Sequence, residues 1–163
     1  MNKKSSSIRL KRKAGVELVS YDKGFLEESF NWLSDPEVAY LTGTGPITKE
    51  SQLAFFKSLP GRSDYVIWGV KINNQKAGAA GIKHLDEVGG EYWGYIGQKE
   101  FWGKGYGTEM CEEIIVKARH MKLSQLRLKV LRNNVRAYSL YTKFGFQEQA
   151  EKDGWVEMIL LLK

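Results

Sequence analysis

Val16-Glu-Leu-Val19 alternates apolar and polar residues and predicts a first strand. After it, Asp22 heads a segment in which Phe25, Leu26, Phe30 and Leu33 recur at helical spacing. That helix is expected to stop near Ser34-Asp35, because Pro36 disfavours helical geometry in the residue before it. A loop, Leu41-Thr-Gly-Thr-Gly-Pro46, follows. Thr48 then caps a second helix with Leu53, Phe56 and Leu59 on one face, broken by Pro60-Gly61. Tyr65 to Ile72 is rich in β-branched and aromatic residues and reads as a strand. Asn73-Asn74 is a turn, Ala77 to Leu85 its hairpin partner, Asp86 to Gly90 another turn, and Glu91 to Gly97 another strand. Met110, Cys111, Ile114, Ile115, Ala118 and Met121 make one apolar stripe of a long helix. Leu126 to Leu131 alternates as a strand. Asn133 or Asn134 opens a helix through Ala137, Leu140, Tyr141 and Phe144, closed by Gly145, and Val156 to Leu162 is a last strand. The order β-α-α-β-β-β-α-β-α-β mixes hairpins with crossovers, which predicts one mixed sheet flanked by helices, of α/β (α+β) class.

A chain of 163 residues suits a single domain whose core needs neither disulfide nor metal. The net charge of +6 changes the picture only at one end. Six of the 25 basic residues, Lys3, Lys4, Arg9, Lys11, Arg12 and Lys13, stand in the first thirteen positions with no acid among them. The remaining 19 basic residues balance 19 acidic ones, so the body from Ala14 onward is formally neutral. A neutral body argues against a nucleic-acid-binding fold. Residues 1–13 read as a solvated, mobile basic tail, with weak contact to an anionic surface as the alternative. Residues 14–163 form the expected domain. Cys111 is the single cysteine, which excludes an internal disulfide and a thiolate cluster, and two histidines without clustered acids suggest no metal site. The start of the chain has no apolar h-region, and no apolar run reaches the roughly 20 residues of a membrane span. A cytoplasmic enzyme or binding protein is the expected class.

The chemistry concentrates in Phe101-Trp-Gly-Lys-Gly-Tyr-Gly-Thr108, immediately before the long helix. Alternating glycines let successive backbone N–H groups turn inward as an anion-binding concavity, and the helix adds the positive end of its dipole. A P-loop needs G-x-x-x-x-G-K-[ST]; Gly97 lies one residue too far back, and Gly105 stands where Ser or Thr should. A dinucleotide fingerprint needs G-x-G-x-x-G, and no glycine takes the sixth place here. The run Trp102 to Thr108 instead resembles the pyrophosphate loop of the GCN5-related N-acetyltransferases (GNAT), [QR]-x-x-G-x-[GA]. Gly105 and Gly107 fill its glycine places, while Trp102 replaces the Gln or Arg. A second segment, Asn134-Val-Arg-Ala137-Tyr-Ser-Leu140-Tyr141-Thr-Lys-Phe-Gly145-Phe146, is similar to the family's N-x-x-A-x-x-L-Y-x-x-x-G-F. The likeness covers the chain from about Val16 to its end.

That resemblance implies the GNAT fold, a single mixed, mostly antiparallel sheet. It also implies transfer of an acetyl group from acetyl-coenzyme A to a primary amine. Gly103, Lys104, Gly105, Gly107 and Thr108 would seat the pyrophosphate, with Trp102 and Tyr106 in the same loop. Tyr95, Ile96 and Gly97 would pair with the pantetheine arm, and the Tyr95 amide would polarise the thioester carbonyl. Asn134 would contact the arm. Tyr141 would be the general acid for the departing thiolate, with an ordinary phenol pKa of about 10. For the base, Glu91, His84 and a water relay stay open. Alternation places Glu91, Trp93 and Tyr95 on one face, where aromatic neighbours would raise a carboxylate's pKa. Cys111 reads as a buried, inert thiol.

The acceptor is open at this stage. Asn31-Trp-Leu-Ser-Asp-Pro-Glu-Val38 is similar to segments of members acting on protein N-termini, and of members acting on amino-sugar nucleotides or aminoglycosides. Asp35, Glu37 and Glu87 would attract a cationic amine; Trp32, Tyr40 and Trp93 would stack on a sugar or peptide. Two other classes are carried beside the enzyme: a non-catalytic acetyl-CoA-binding sensor, and an anion- or nucleic-acid-binding adaptor that uses the basic tail.

Overall fold

A computed structural model describes residues 15–162; the basic tail lies outside the described residues. The chain order is β1 (Val16–Ser20), α1 (Lys23–Leu33), α2 (Pro36–Thr42), α3 (Lys49–Ser58), β2 (Val66–Ile72), β3 (Gln75–Lys83), β4 (Gly89–Ile96), α4 (Tyr106–His120), β5 (Gln125–Leu131), α5 (Val135–Lys143), β6 (Gln147–Lys152) and β7 (Trp155–Leu161). Short 3₁₀ turns occupy Leu59–Gly61 and Lys99–Phe101. The strands form one seven-stranded sheet, ordered β1-β2-β3-β4-β5-β7-β6. Neighbours run antiparallel except β4 and β5, so the sheet is mixed and mostly antiparallel as expected.

Local chemistry sets the element ends. The Asp22 carboxylate accepts the Phe25 N–H at 3.1 Å and starts α1, and Thr48 and Ser51 cap α3 reciprocally. Asn73 and Asn74 both take positive φ, 50° and 66°, which joins β2 to β3 in two residues. Gly145, at φ 96°, ends the α5 segment where a side chain would be strained.

Two elements escape the periodicity reading. Pro36–Thr42, read in part as a loop, is the short helix α2. Asp35 caps it by accepting the N–H groups of Glu37 and Val38, and Pro36 supplies a preset first residue. Seven residues are too few to display a helical period. The strand β6 is exposed along its whole length and has no apolar face to read. Its ladder with β7 holds it, as does Arg132, which bonds Glu148 and Glu151 together.

The core lies on both faces of the sheet. On one face, α4 buries Met110, Cys111, Ile114, Ile115 and Ala118 against Ile72, Ile82, Tyr92, Leu126 and Leu128. Met121, assigned to that stripe, falls at the helix end and is exposed. On the other face, α1 and α2 bury Phe25, Trp32 and Val38 with Ala79 and Tyr95. Small residues in the middle of β3, Ala77 to Gly81, admit helices to both sides. No helix among the described residues is long and apolar enough to cross a membrane.

Candidate active site

The sheet is nearly split at β4 and β5. Their parallel pairing covers only Gly89–Glu91 against Gln125–Arg127. Gly89 and Gly90, expected as turn residues, belong to β4. A side chain on Gly89 would collide with the Gln125 carbonyl, so glycine lets the two backbones meet there. Beyond Glu91 the strands part. β4 stays with β3 as far as Ile96, and β5 stays with β7 as far as Leu131. A cavity of about 1220 Å³ passes through this gap. Residues from both faces line it, Trp93 and Tyr95 on the α1 side, and Tyr92, Gly94, Met110 and Tyr141 on the α4 side.

Backbone direction along the open edge follows from the register. Ala79 pairs with Tyr95, and the Gly97 N–H bonds the Ala77 carbonyl at 2.7 Å. Groups that point to a neighbour alternate along a strand. The main chain of Tyr95 therefore faces β3, and Gly94 and Ile96 face the gap. The geometry thus departs from the expected use of the Tyr95 amide, because β3 already engages that edge. Gly97 has a packing role, since a side chain there would strike the Trp32 ring. It does not line the cavity, whereas Tyr95 and Ile96 do. Trp102 replaces the family's Gln or Arg with a contact of its own: its Nε1–H donates to the Ile96 carbonyl at 2.7 Å.

The glycine loop closes one end of the passage. Gly103 and Gly105 have φ of 73° and 87°, a region L-residues rarely enter. Gly105 occupies the cap position of α4 with no side-chain cap, so the first amides of the helix, on Tyr106, Gly107 and Thr108, point into open space. Gly107 faces α5, where a Cβ would stand in ordinary contact at 3.5 Å from Leu140 Cδ1. Trp102, Gly103, Gly105, Tyr106, Gly107 and Thr108 all line the cavity; Lys104 is exposed and does not. Arg136 was passed over in the sequence. It lies within the Asn134 motif, and its Nη1 is 3.7 Å from where a Cβ on Gly103 would stand. The loop thus has a guanidinium beside it.

Asn134 caps α5 by accepting the Ala137 N–H at 3.4 Å, and it lines the cavity. Tyr141 stands on the same helix, its ring edge-on to Tyr92 at 6.2 Å and to Phe146 at 5.7 Å. Burial, reinforced by the neighbouring Cys111 thiol, pushes the Tyr141 phenol above its usual range. Cys111 is 1% exposed, and burial pushes its thiol up to about 12, as an inert core residue requires. The Tyr92 hydroxyl is buried beside the Tyr141 side chain and makes no hydrogen bond of good geometry among the described residues. It lies close to Gly94, where a Cβ would stand 2.7 Å from it.

The base candidates fare differently. Glu91 shares a face with Trp93 and Tyr95, but it pairs with Lys83 at 3.4 Å and lines a second cavity, of about 590 Å³. That space adjoins the first at Thr42, Lys83, Tyr92, Trp93, Lys129 and Trp155. His84 sits at an exposed left-handed turn position and lines neither. Most of the Asn31–Val38 segment packs, while Glu37 and Val38 also line the first cavity. Trp32 is buried, and Lys99 binds Asp35 and Glu37 at 3.0 Å each, holding the Asp35 carboxyl below its usual range. Tyr40 is exposed, and its hydroxyl accepts a bond from Asn133 at 2.8 Å.

The profile of the acetyltransferase (GNAT) domain matches residues 17–147, and the chain belongs to that family. Bovine thialysine N-ε-acetyltransferase is 39% identical over 56 residues, 34% of this chain and 33% of that protein. The probable spermine N(1)-acetyltransferase of Bacillus subtilis subsp. natto is 32% identical over 71 residues, 42% and 47% of the two chains. The chain thus matches a third to a half of the length of these relatives. The fold is similar to that of Vibrio cholerae spermidine N-acetyltransferase in complex with CoA and spermine (TM-score 0.82, 16% identity, covering 90% and 95%). It is also similar to Campylobacter jejuni N-acetyltransferase PseH in complex with acetyl coenzyme A (TM-score 0.72, 21% identity, covering 91% and 99%).

A buried hydroxyl without a partner costs roughly 1–3 kcal/mol of desolvation. Tyr92→Phe is therefore expected to raise the denaturation midpoint of the free protein. Loss of stability in urea titrations would show instead that the hydroxyl is bonded.

Proposed function

We propose that the protein transfers an acetyl group from acetyl-CoA directly to a primary amine. The observation that carries this reading is the passage through the sheet at the β4–β5 gap, with an uncapped helix N-terminus at one end. The pyrophosphate sits on the amides of Tyr106, Gly107 and Thr108 and the Gly103–Gly105 turn, where helix dipole and bare backbone favour an anion. The Arg136 guanidinium adds charge-assisted bonds from the side. The pantetheine arm lies along the open edge of β4, past Asn134. Trp102 holds the Ile96 carbonyl, which keeps that edge in place. An N–H of the gap-facing residues, Gly94 or Ile96, polarises the thioester carbonyl in the role the sequence assigned to Tyr95.

The amine lone pair attacks the carbonyl carbon, the C–S bond breaks, and the thiolate takes its proton from Tyr141 Oη. A phenol held above its usual range keeps that proton at neutral pH until the leaving sulfur demands it. The amine's own proton leaves through water, and one returns by the same route to the Tyr141 phenolate. The only carboxylate lining the passage among the described residues, Glu37, is bound by Lys99, and Glu91 is bound by Lys83 next door.

Three measurements test these assignments. Gly105→Glu places bulk and negative charge in the cradle and is expected to abolish CoA binding in calorimetry. Wild-type affinity would remove the loop from its role. Arg136→Ala, which leaves the backbone untouched, is expected to weaken CoA by roughly tenfold to a hundredfold, the worth of charged hydrogen bonds of about 1.5–3 kcal/mol. Tyr141→Phe is expected to lower turnover by roughly 10²- to 10⁴-fold with CoA affinity nearly unchanged. Turnover at the wild-type rate would assign the proton to another donor.

A further inference from the structure

The acceptor end of the passage has a composition of its own. From α3 to β4 its wall is a run of touching aromatic rings. Phe55 meets Tyr65 edge-on at 5.5 Å, Tyr65 meets Trp93 at 6.3 Å, and Trp93 stacks on Tyr95 at 6.3 Å with 22° between planes. Burial pushes both phenols, Tyr65 and Tyr95, above their usual range, so this wall carries no charge at neutral pH. Its polar atoms are hydroxyls and the Trp93 indole N–H, which is buried without a partner among the described residues.

Charge is unevenly shared between the two cavities. Lys83 and Lys129 stand where the two cavities adjoin. Two of the four carboxylates that line the second cavity are already paired. Glu91 faces Lys83 at 3.4 Å, Glu151 faces Arg132 at 2.8 Å, and Glu157 stands opposite Lys129 in the β5–β7 register. Asp153 lies at the tip of the β6–β7 hairpin. A polyamine needs carboxylates spaced along its length; among the described residues lining the first cavity only Glu37 carries one, and Lys99 already binds it at 3.0 Å.

We infer that the acceptor is a primary amine carried on an uncharged ring, which lies flat against the Trp93–Tyr65–Phe55 wall, and that it is not a polyamine. This rests on the acetyl-transfer reading and narrows it. Ring faces against aromatic side chains add about 0.5–1.5 kcal/mol beyond burial for aryl groups, and the apolar face of a pyranose offers the same flat contact. The lysines and the low polarity favour the neutral amine over the ammonium, and the neutral amine is the nucleophile. Hydroxyl groups on the wall suit a ring with hydroxyls as well as an aryl ring, so both sources belong in the test.

The full chain with acetyl-CoA is assayed for thiol release against tryptamine, glucosamine, propylamine and spermine. One of the ring amines is expected to exceed both spermine and propylamine in kcat/KM by about a hundredfold, equivalent to two tenfold steps of about 1.4 kcal/mol. Which ring wins separates the aryl from the carbohydrate source. Trp93→Ala and Phe55→Ala are each expected to raise KM for that amine about tenfold or more, with CoA affinity in calorimetry unchanged as the sign of an intact fold. Spermine as the best acceptor, ring amines no better than propylamine, or thiol released by propylamine or spermine but by neither ring amine would each overturn the inference. Failure of the acetyl-transfer reading looks different: CoA does not bind, or it binds and none of the four amines releases thiol.

Discussion

Everything at this site depends on how little β4 and β5 touch. Three residue pairs hold them together, and the strands then separate because each is bound more firmly elsewhere. β4 is zipped to β3 as far as Ile96, and β5 to β7 along its whole length. Two stiff half-sheets therefore meet at a short seam and diverge. Unpaired backbone in the interior costs free energy, so such a gap persists only with something to satisfy it. Trp102 satisfies one group, the Ile96 carbonyl. The others face the passage without a partner among the described residues, as a strand-like ligand would need.

The glycines around the gap have separate jobs. Gly89 lets the seam close, Gly97 makes room for Trp32, and Gly94 leaves space for the Tyr92 hydroxyl. Gly103 and Gly105 turn the backbone through left-handed conformations, which deliver the start of α4 uncapped to the end of the passage. The long α4 buries its apolar stripe under the sheet, and that burial fixes where its positive end points.

Much of this was legible because its causes are local. Asp22, Thr48 and Asn134 act as caps within three residues of themselves, and the apolar stripe of α4 repeats often enough to be read. The glycine loop and the Asn134–Phe146 segment carry their spacing in the chain. Most of what was missed depends on pairing partners outside the segment itself. β6 has no apolar face, and its pairing with β7 alone makes it a strand. The direction of the Tyr95 main chain depends on its register with Ala79. Glu91 looks like a poised carboxylate along its own strand, and only the pairing of β3 with β4 brings Lys83 beside it. Arg136 reaches Gly103 because α5 packs across the loop, a proximity that thirty-odd residues of intervening chain conceal.

Side chains from both faces of one sheet line the passage, and under the proposed transfer this bears on the order of events. Donor and acceptor would approach from different sides of the sheet. Neither would have to depart before the other arrives, so no acylated form of the protein would be stored between visits. Initial-rate plots for such a machine would converge, because both reactants would occupy it together.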